Sequence, residues 1–164
     1  METIGLIIGH RDAFPLELCS DARIRLLKVL KEEGIEAIVL SPQDTAHGTV
    51  GTLEHAKKCA KLFATHRNKM IGIIVSLPDF GDERSVAEAI RRAEINVPVL
   101  VHAFKDNLNE LEVIKRRDSF CGKISVCNSL YQIGIRYRLT SGQSGHALHE
   151  AFSNYLGYDT YYHR

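Results

Sequence analysis

Two residues of this sequence carry recognisable chemistry, Arg11 and Phe80. Arg11 lies in "GHRDAFP", just after the apolar run "TIGLIIG". Its guanidinium is a rigid fork of donors able to hold hydroxyl or carboxylate oxygens. The plainer reading is an ion pair with Asp12 or Asp79. Phe80 lies in "SLPDFGDERS", a connection that needs polar residues and a glycine. An aromatic there forfeits about 2 kcal/mol if it is left in water. Its ring suits the apolar face of a sugar, or else plugs the space beneath its own loop. Asp79 and Asp82 flank it, and the candidate substrate-binding set is Arg11, Phe80, Asp79 and Asp82.

Other motifs fail on spacing. Gly5 and Gly9 are followed by His10 and Arg11 rather than by the rest of a dinucleotide fingerprint. "CGKIS" has the lysine of a phosphate loop, but Ile124 stands where Ser or Thr should follow. Arg117 also replaces the upstream glycine, so Cys121 and Gly122 are better read as opening a helix. Asp12 and Asp79 resemble the acidic pair of a phospho-receiver, but "IRYRLTSG" lacks the required lysine. The histidines are scattered. His146 and His149 have no carboxylate or cysteine at metal-site spacing, and His10, His47 and His102 read as ordinary. Linear spacing assembles no Ser-His-Asp or Cys-His arrangement, so neither catalytic residues nor metal ligands are assigned.

These residues must be positioned by an alternation of strands and helices. "TIGLIIG", "IEAIVL", "MIGIIV" and "VPVLVHA" read as buried strands. Between them lie helical patterns: Leu18, Ala22, Leu26, Val29 and Leu30 up to the stop at Gly34; Leu53, Ala56, Cys59, Ala60 and Phe63; and Asp82 to Glu94. "NLNELEVIKRR" is expected to be a helix, "KISVCNSLYQIG" another, and "IRYRL" a short strand. Uniformly apolar strands separated by helices imply a parallel sheet covered on both faces. The expected fold is α/β, a three-layer doubly wound parallel sheet with the flavodoxin-like, Rossmann-like order 2-1-3-4-5. Its crevice lies at the carboxyl ends of the first and third strands. That places Arg11 and Phe80 across one pocket, with "HAFKDN" nearby.

Composition bounds the function classes. The 164 residues suit one domain, with residues 1–140 as the α/β unit and 141–164 as a helical tail. A net charge of +1 gives no electrostatic footprint for nucleic acid. No apolar run has the length of a membrane span, and the strand pattern begins at once, so neither a membrane anchor nor a signal peptide is expected. Four cysteines without CxxC spacing suit a reducing cytoplasm.

From Ile4 to Thr140 the sequence resembles the N-terminal region of the L-fucose isomerase-like proteins. The pieces are "IGLIIGHRDAFP", "GIEAIVLSPQDTAHGTVGTLEHAKKCA", "GIIVSLPDFGDERSVA" and above all "RRDSFCGKISVCNSLYQIGI". The resemblance implies aldose–ketose isomerisation in carbohydrate metabolism with a divalent metal, usually manganese. The metal holds adjacent substrate oxygens while a carboxylate moves a proton through an enediol. It further implies that this domain supplies no metal ligand, so no cofactor is expected in this chain. An arginine after the first strand and an aromatic after the third are lent to a neighbouring subunit's site. The matching positions are Arg11 and Phe80, the latter where the fucose enzyme has tryptophan. A homo-oligomer or missing domains would then complete the site around an aldose or ketose, and the chain alone is expected to be inactive. Residues 141–164 do not resemble the family's continuation.

Two other readings compete. The strand motifs also suit one half of a sugar-binding or repressor effector domain, although "RRDSFCGKISVCN" is not expected there. The tyrosines of the tail, Tyr155, Tyr158, Tyr161 and Tyr162, would suit an oligomerisation interface.

Overall fold

The computed structural model describes residues 2–110, 112 and 115–140. Strand β1 (Glu2–Gly9) leads into helix α1 (Glu17–Glu32) and strand β2 (Ile35–Ile38). A short 3-10 turn (Ala46–Gly48) precedes the two-residue β3 (Thr49–Val50), then α2 (Leu53–His66) and β4 (Met70–Leu77). Helix α3 (Glu83–Ala93), β5 (Val99–Ala103), α4 (Ser119–Gln132) and β6 (Tyr137–Leu139) complete the order.

The sheet runs β2-β1-β4-β5-β6, with β3 pairing beside β1. All pairs are parallel. With the short β3 set aside, this is the flavodoxin-like order that the alternation predicts. Register aligns Ile7 with Val75 and Val75 with Val101, so β1, β4 and β5 deliver their carboxyl ends to one edge.

Side chains alternate across the sheet as strand geometry requires. Ile7, Ile73, Val75, Leu77, Val99 and Val101 pack with buried residues of α2, α3 and α4. Ile4, Leu6, Ile8, Ile74 and Leu100 face α1 through Cys19, Leu26 and Leu30. The buried face of α1 is therefore Cys19, Ala22, Leu26 and Leu30, while Leu18 and Val29 are only half-buried. Thr52 caps α2 by accepting from His55 N, and Asp82 caps α3 by accepting from Ser85 N. α1 stops before Gly34, whose φ of 71° suits glycine.

Two expectations need correction. The described residues of 107–117 form turns, not a helix. Asn107 competes with helix formation there, accepting from Asn109 N through its side chain and from Glu110 N through its carbonyl. The strand β3 was not anticipated, because a two-residue strand carries no periodicity. The helical reading of residues 141–164 lies outside the described residues.

Cys121 and Gly122 do stand in the first turn of α4. That turn is capped from the preceding loop, where Asp106 accepts from Ser119 N at 2.8 Å and Phe120 N at 3.2 Å. Gly122 is required by proximity: a Cβ there would lie 1.9 Å from the carbonyl oxygen of Phe80. Because that neighbour is backbone, it cannot rotate away. Gly122→Ala is expected to cost about 3 kcal/mol, at the upper end for overpacking, as measured by denaturant unfolding.

Candidate functional site

The loops after β1 and β4 meet at the carboxyl edge of the sheet, and Asp79 joins them. Its side chain is fully buried. Oδ1 accepts from the backbone N–H of Gly81 at 2.8 Å and of Arg11 at 3.2 Å. Oδ2 lies 2.6 Å from His10 Nδ1 and accepts from the Cys19 thiol at 3.4 Å. A carboxylate only accepts, which puts the imidazole proton on Nδ1. Cys19 Sγ is also 3.5 Å from His10 Nδ1, closing a buried triangle between β1, α1 and β4. Burial first, then the charge and hydrogen bond of Asp79, push the Cys19 thiol well above its usual range.

Above this buried layer sits the rim. The Arg11 guanidinium lies over the Phe80 ring, 4.5 Å from its centroid. Its Nη2 donates to Glu83 Oε2 and approaches Asp82 Oδ2 at 3.9 Å. Phe14 stacks on the other ring at 6.2 Å between centroids, nearly parallel at 15°. Arg11 keeps 37% of its side chain exposed, and Phe80 is half-buried, so neither is a buried plug. The structure therefore brings Arg11, Phe80, Asp79 and Asp82 together. It separates their situations, however. Asp79 faces inward with both oxygens engaged, and Asp82 is occupied in capping α3. Arg11 finds its ion pair with Glu83, which neither Asp12 nor Asp79 supplies; Asp79 takes only its backbone N–H.

The rim is buttressed from α4. Pro78 O accepts from Ser119 Oγ at 3.0 Å and from Arg117 Nη1 at 3.1 Å. Arg117 thus has a structural task within "RRDSFCGKIS", as do Ser119 and Gly122. Sequence reasoning also missed His10, Cys19 and Glu83. The one signal for Cys19 was its helical spacing with Ala22, Leu26 and Leu30.

Farther along the edge, His102 is buried at the end of β5. Its ring meets Phe104 edge-on at 5.2 Å, and Nδ1 lies 3.4 Å from Thr140 Oγ1. Lys123 Nζ donates to Thr140 O at 3.0 Å. Burial, with Lys123 adding to it, lowers the His102 pKa from 6.5 to about 4.

Among the described residues, the group with metal-ligating geometry is His10, Cys19 and Asp79. One nitrogen, one sulfur and one carboxylate oxygen do not fit manganese, which favours carboxylate, carbonyl and water oxygens.

The His102 pKa fixes a direction for acid stability. Between pH 6.5 and about 4 the unfolded chain binds the proton that folded His102 refuses, so folding weakens as pH falls. Over that window this group removes about 3 kcal/mol. Urea unfolding across the window should show the loss, and His102→Gln should reduce the slope.

The model of the fucose/sulfoquinovose isomerase N-terminal domain matches residues 5–157. The matched range runs past residue 140, where the resemblance in the sequence stops. No curated protein matches the chain. No helix among the described residues is long and apolar enough to cross a membrane. A parallel α/β sheet and a family match over nearly the whole sequence lead to one assignment: the chain belongs to the fucose/sulfoquinovose isomerase N-terminal domain family.

Proposed function

We propose that this polypeptide is the substrate-contacting and assembly domain of a cytoplasmic aldose–ketose isomerase. It lends the Arg11–Phe80 rim to a site completed by other domains or by neighbouring subunits of a homo-oligomer, where the divalent metal is bound. The observation that carries this reading is the guanidinium held over an aromatic ring, 4.5 Å from its centroid, at the crevice between β1 and β4. Such a pair offers directional donors to hydroxyl oxygens and an apolar face to sugar carbons. Glu83 fixes the side chain beforehand, so less rotamer freedom is lost when a ligand arrives. Family membership makes an aldose or ketose the natural occupant.

Proton transfer between adjacent carbons needs a base in reach and stabilisation of the enediolate. The rim offers neither an unengaged buried carboxylate nor manganese-type ligands. The chain alone is therefore expected to bind sugar weakly and to leave it unchanged. Half a site corresponds to about millimolar affinity, near −4 kcal/mol.

Titration of the labelled protein with L-fucose or D-arabinose, followed by NMR, tests the binding. Shifts centred on Arg11, Phe80 and Glu83, reduced in Arg11→Ala, are expected. No shift at the rim at about ten times the millimolar Kd expected for half a site would refute it. In the complete isomerase, Arg11→Ala should weaken substrate binding by about 1.5–3 kcal/mol, read as a raised KM.

A further inference from the structure

The buried triangle behind the rim supports a binding site of its own. His10 in the loop after β1, Cys19 in α1 and Asp79 in the loop after β4 are 5%, 0% and 0% exposed. Their ligand atoms converge with Cys19 Sγ 3.4 Å from Asp79 Oδ2 and 3.5 Å from His10 Nδ1. A tetrahedral zinc ion holds such atoms at separations of about 3.3–3.6 Å, given its bond lengths to sulfur, nitrogen and oxygen. Two edges of the triangle already have that length. The third, His10 Nδ1 to Asp79 Oδ2, is a hydrogen bond of 2.6 Å and must open by about 0.7–0.8 Å to reach the tetrahedral separation.

The surroundings match what zinc ligands need beyond the first contacts. The free oxygen of Asp79 is held by two backbone N–H groups, from Gly81 and Arg11. The other ring nitrogen of His10, Nε2, lies 3.9 Å from Asp12 Oδ1, longer than a hydrogen bond, and the exposed Asp12 would have to close in to orient a metal-bound imidazole. The charge also balances. One thiolate and one carboxylate offset a divalent ion, leaving no net charge in the buried site.

We infer that His10 Nδ1, Cys19 Sγ and Asp79 Oδ2 form a zinc-binding site that fastens β1, α1 and β4 together behind the rim. Binding replaces two hydrogen bonds with three coordinate bonds. The Cys19 proton leaves to solvent, and the His10 proton moves from Nδ1 to Nε2 beside Asp12. With three protein ligands among the described residues, the fourth tetrahedral position is left to a ligand drawn from solvent, as in open zinc sites. The role assigned to the ion is to tie the three segments together, with three protein ligands and one open position. The triangle is built from this chain's own residues, behind the rim, and its ligand atoms converge whether or not the rim binds sugar.

The test uses the purified chain carrying Cys121→Ser, which removes the exposed thiol, stripped with chelator and titrated with Zn²⁺, Co²⁺ and Mn²⁺. One equivalent of Zn²⁺ should bind and raise the Tm, while Mn²⁺ at the same concentration should not. Co²⁺ should give a tetrahedral visible spectrum with a thiolate-to-metal band. Cys19→Ser should abolish the band, and the exposed Asp12→Asn should lower zinc affinity by about 10-fold, the lower end for an outer-shell partner. Circular dichroism checks that each variant is folded. Should Cys19→Ser fail to fold, the band in the parent chain and the Asp12→Asn shift decide the matter. Absence of binding, a cobalt spectrum without a thiolate band, or a band that survives in folded Cys19→Ser would each overturn the assignment, leaving a hydrogen-bonded triangle only.

Discussion

The arrangement at the sheet edge depends on one carboxylate. Asp79 is buried with four donors directed at it, two from backbone and two from side chains. An uncompensated buried carboxylate is costly, so the loops after β1 and β4 must keep those donors in place. Each donor belongs to a different local problem. Arg11 N fixes the exit of β1, Gly81 N fixes the turn before α3, and Cys19 fixes the first turns of α1. Solving them with a single group couples the three elements more tightly than apolar packing alone, because hydrogen bonds constrain direction as well as distance.

On that base the rim is assembled from opposite charges and rings. Glu83 and Asp82 lie at the N-terminal end of α3, where negative charge is favoured by the helix, and they also receive Arg11. The guanidinium is thereby held over Phe80 without being buried. From the far side, Arg117 and Ser119 grip Pro78 O while Gly122 lets α4 approach the Phe80 backbone. This gives the stretch "RRDSFCGKIS" a physical meaning. It supports the wall of the crevice and need not touch a ligand.

Much of this was legible in the residues. Strands such as "TIGLIIG" and "MIGIIV" are apolar on both faces, a pattern that only a covered parallel sheet accommodates, and the strand order follows from the alternation. The nearness of Arg11 and Phe80 was likewise inferable, because a doubly wound sheet brings the ends of those strands together. The buried triangle was not. Its members are nine and sixty residues apart in sequence, and a cysteine at a core position of α1 looks like any small apolar residue. Glu83 was hidden for a similar reason: an acidic residue in the first turn of a helix is explained locally, so nothing pointed to a distant arginine. The turn at Asn107 defeated the helical pattern because a side-chain hydrogen bond outcompeted periodicity.

Asp79 grips the loops through the amides of Arg11 and Gly81, not through the side chain of residue 80. Amide N–H groups are present whatever the side chain, so the path of the loop is largely independent of what projects from it. The ring at position 80 can then be exchanged for a larger one without rebuilding the turn beneath it. The outward-facing groups of this edge can therefore change with little cost to the scaffold, whereas a change at the hidden carboxylate would release every loop it holds.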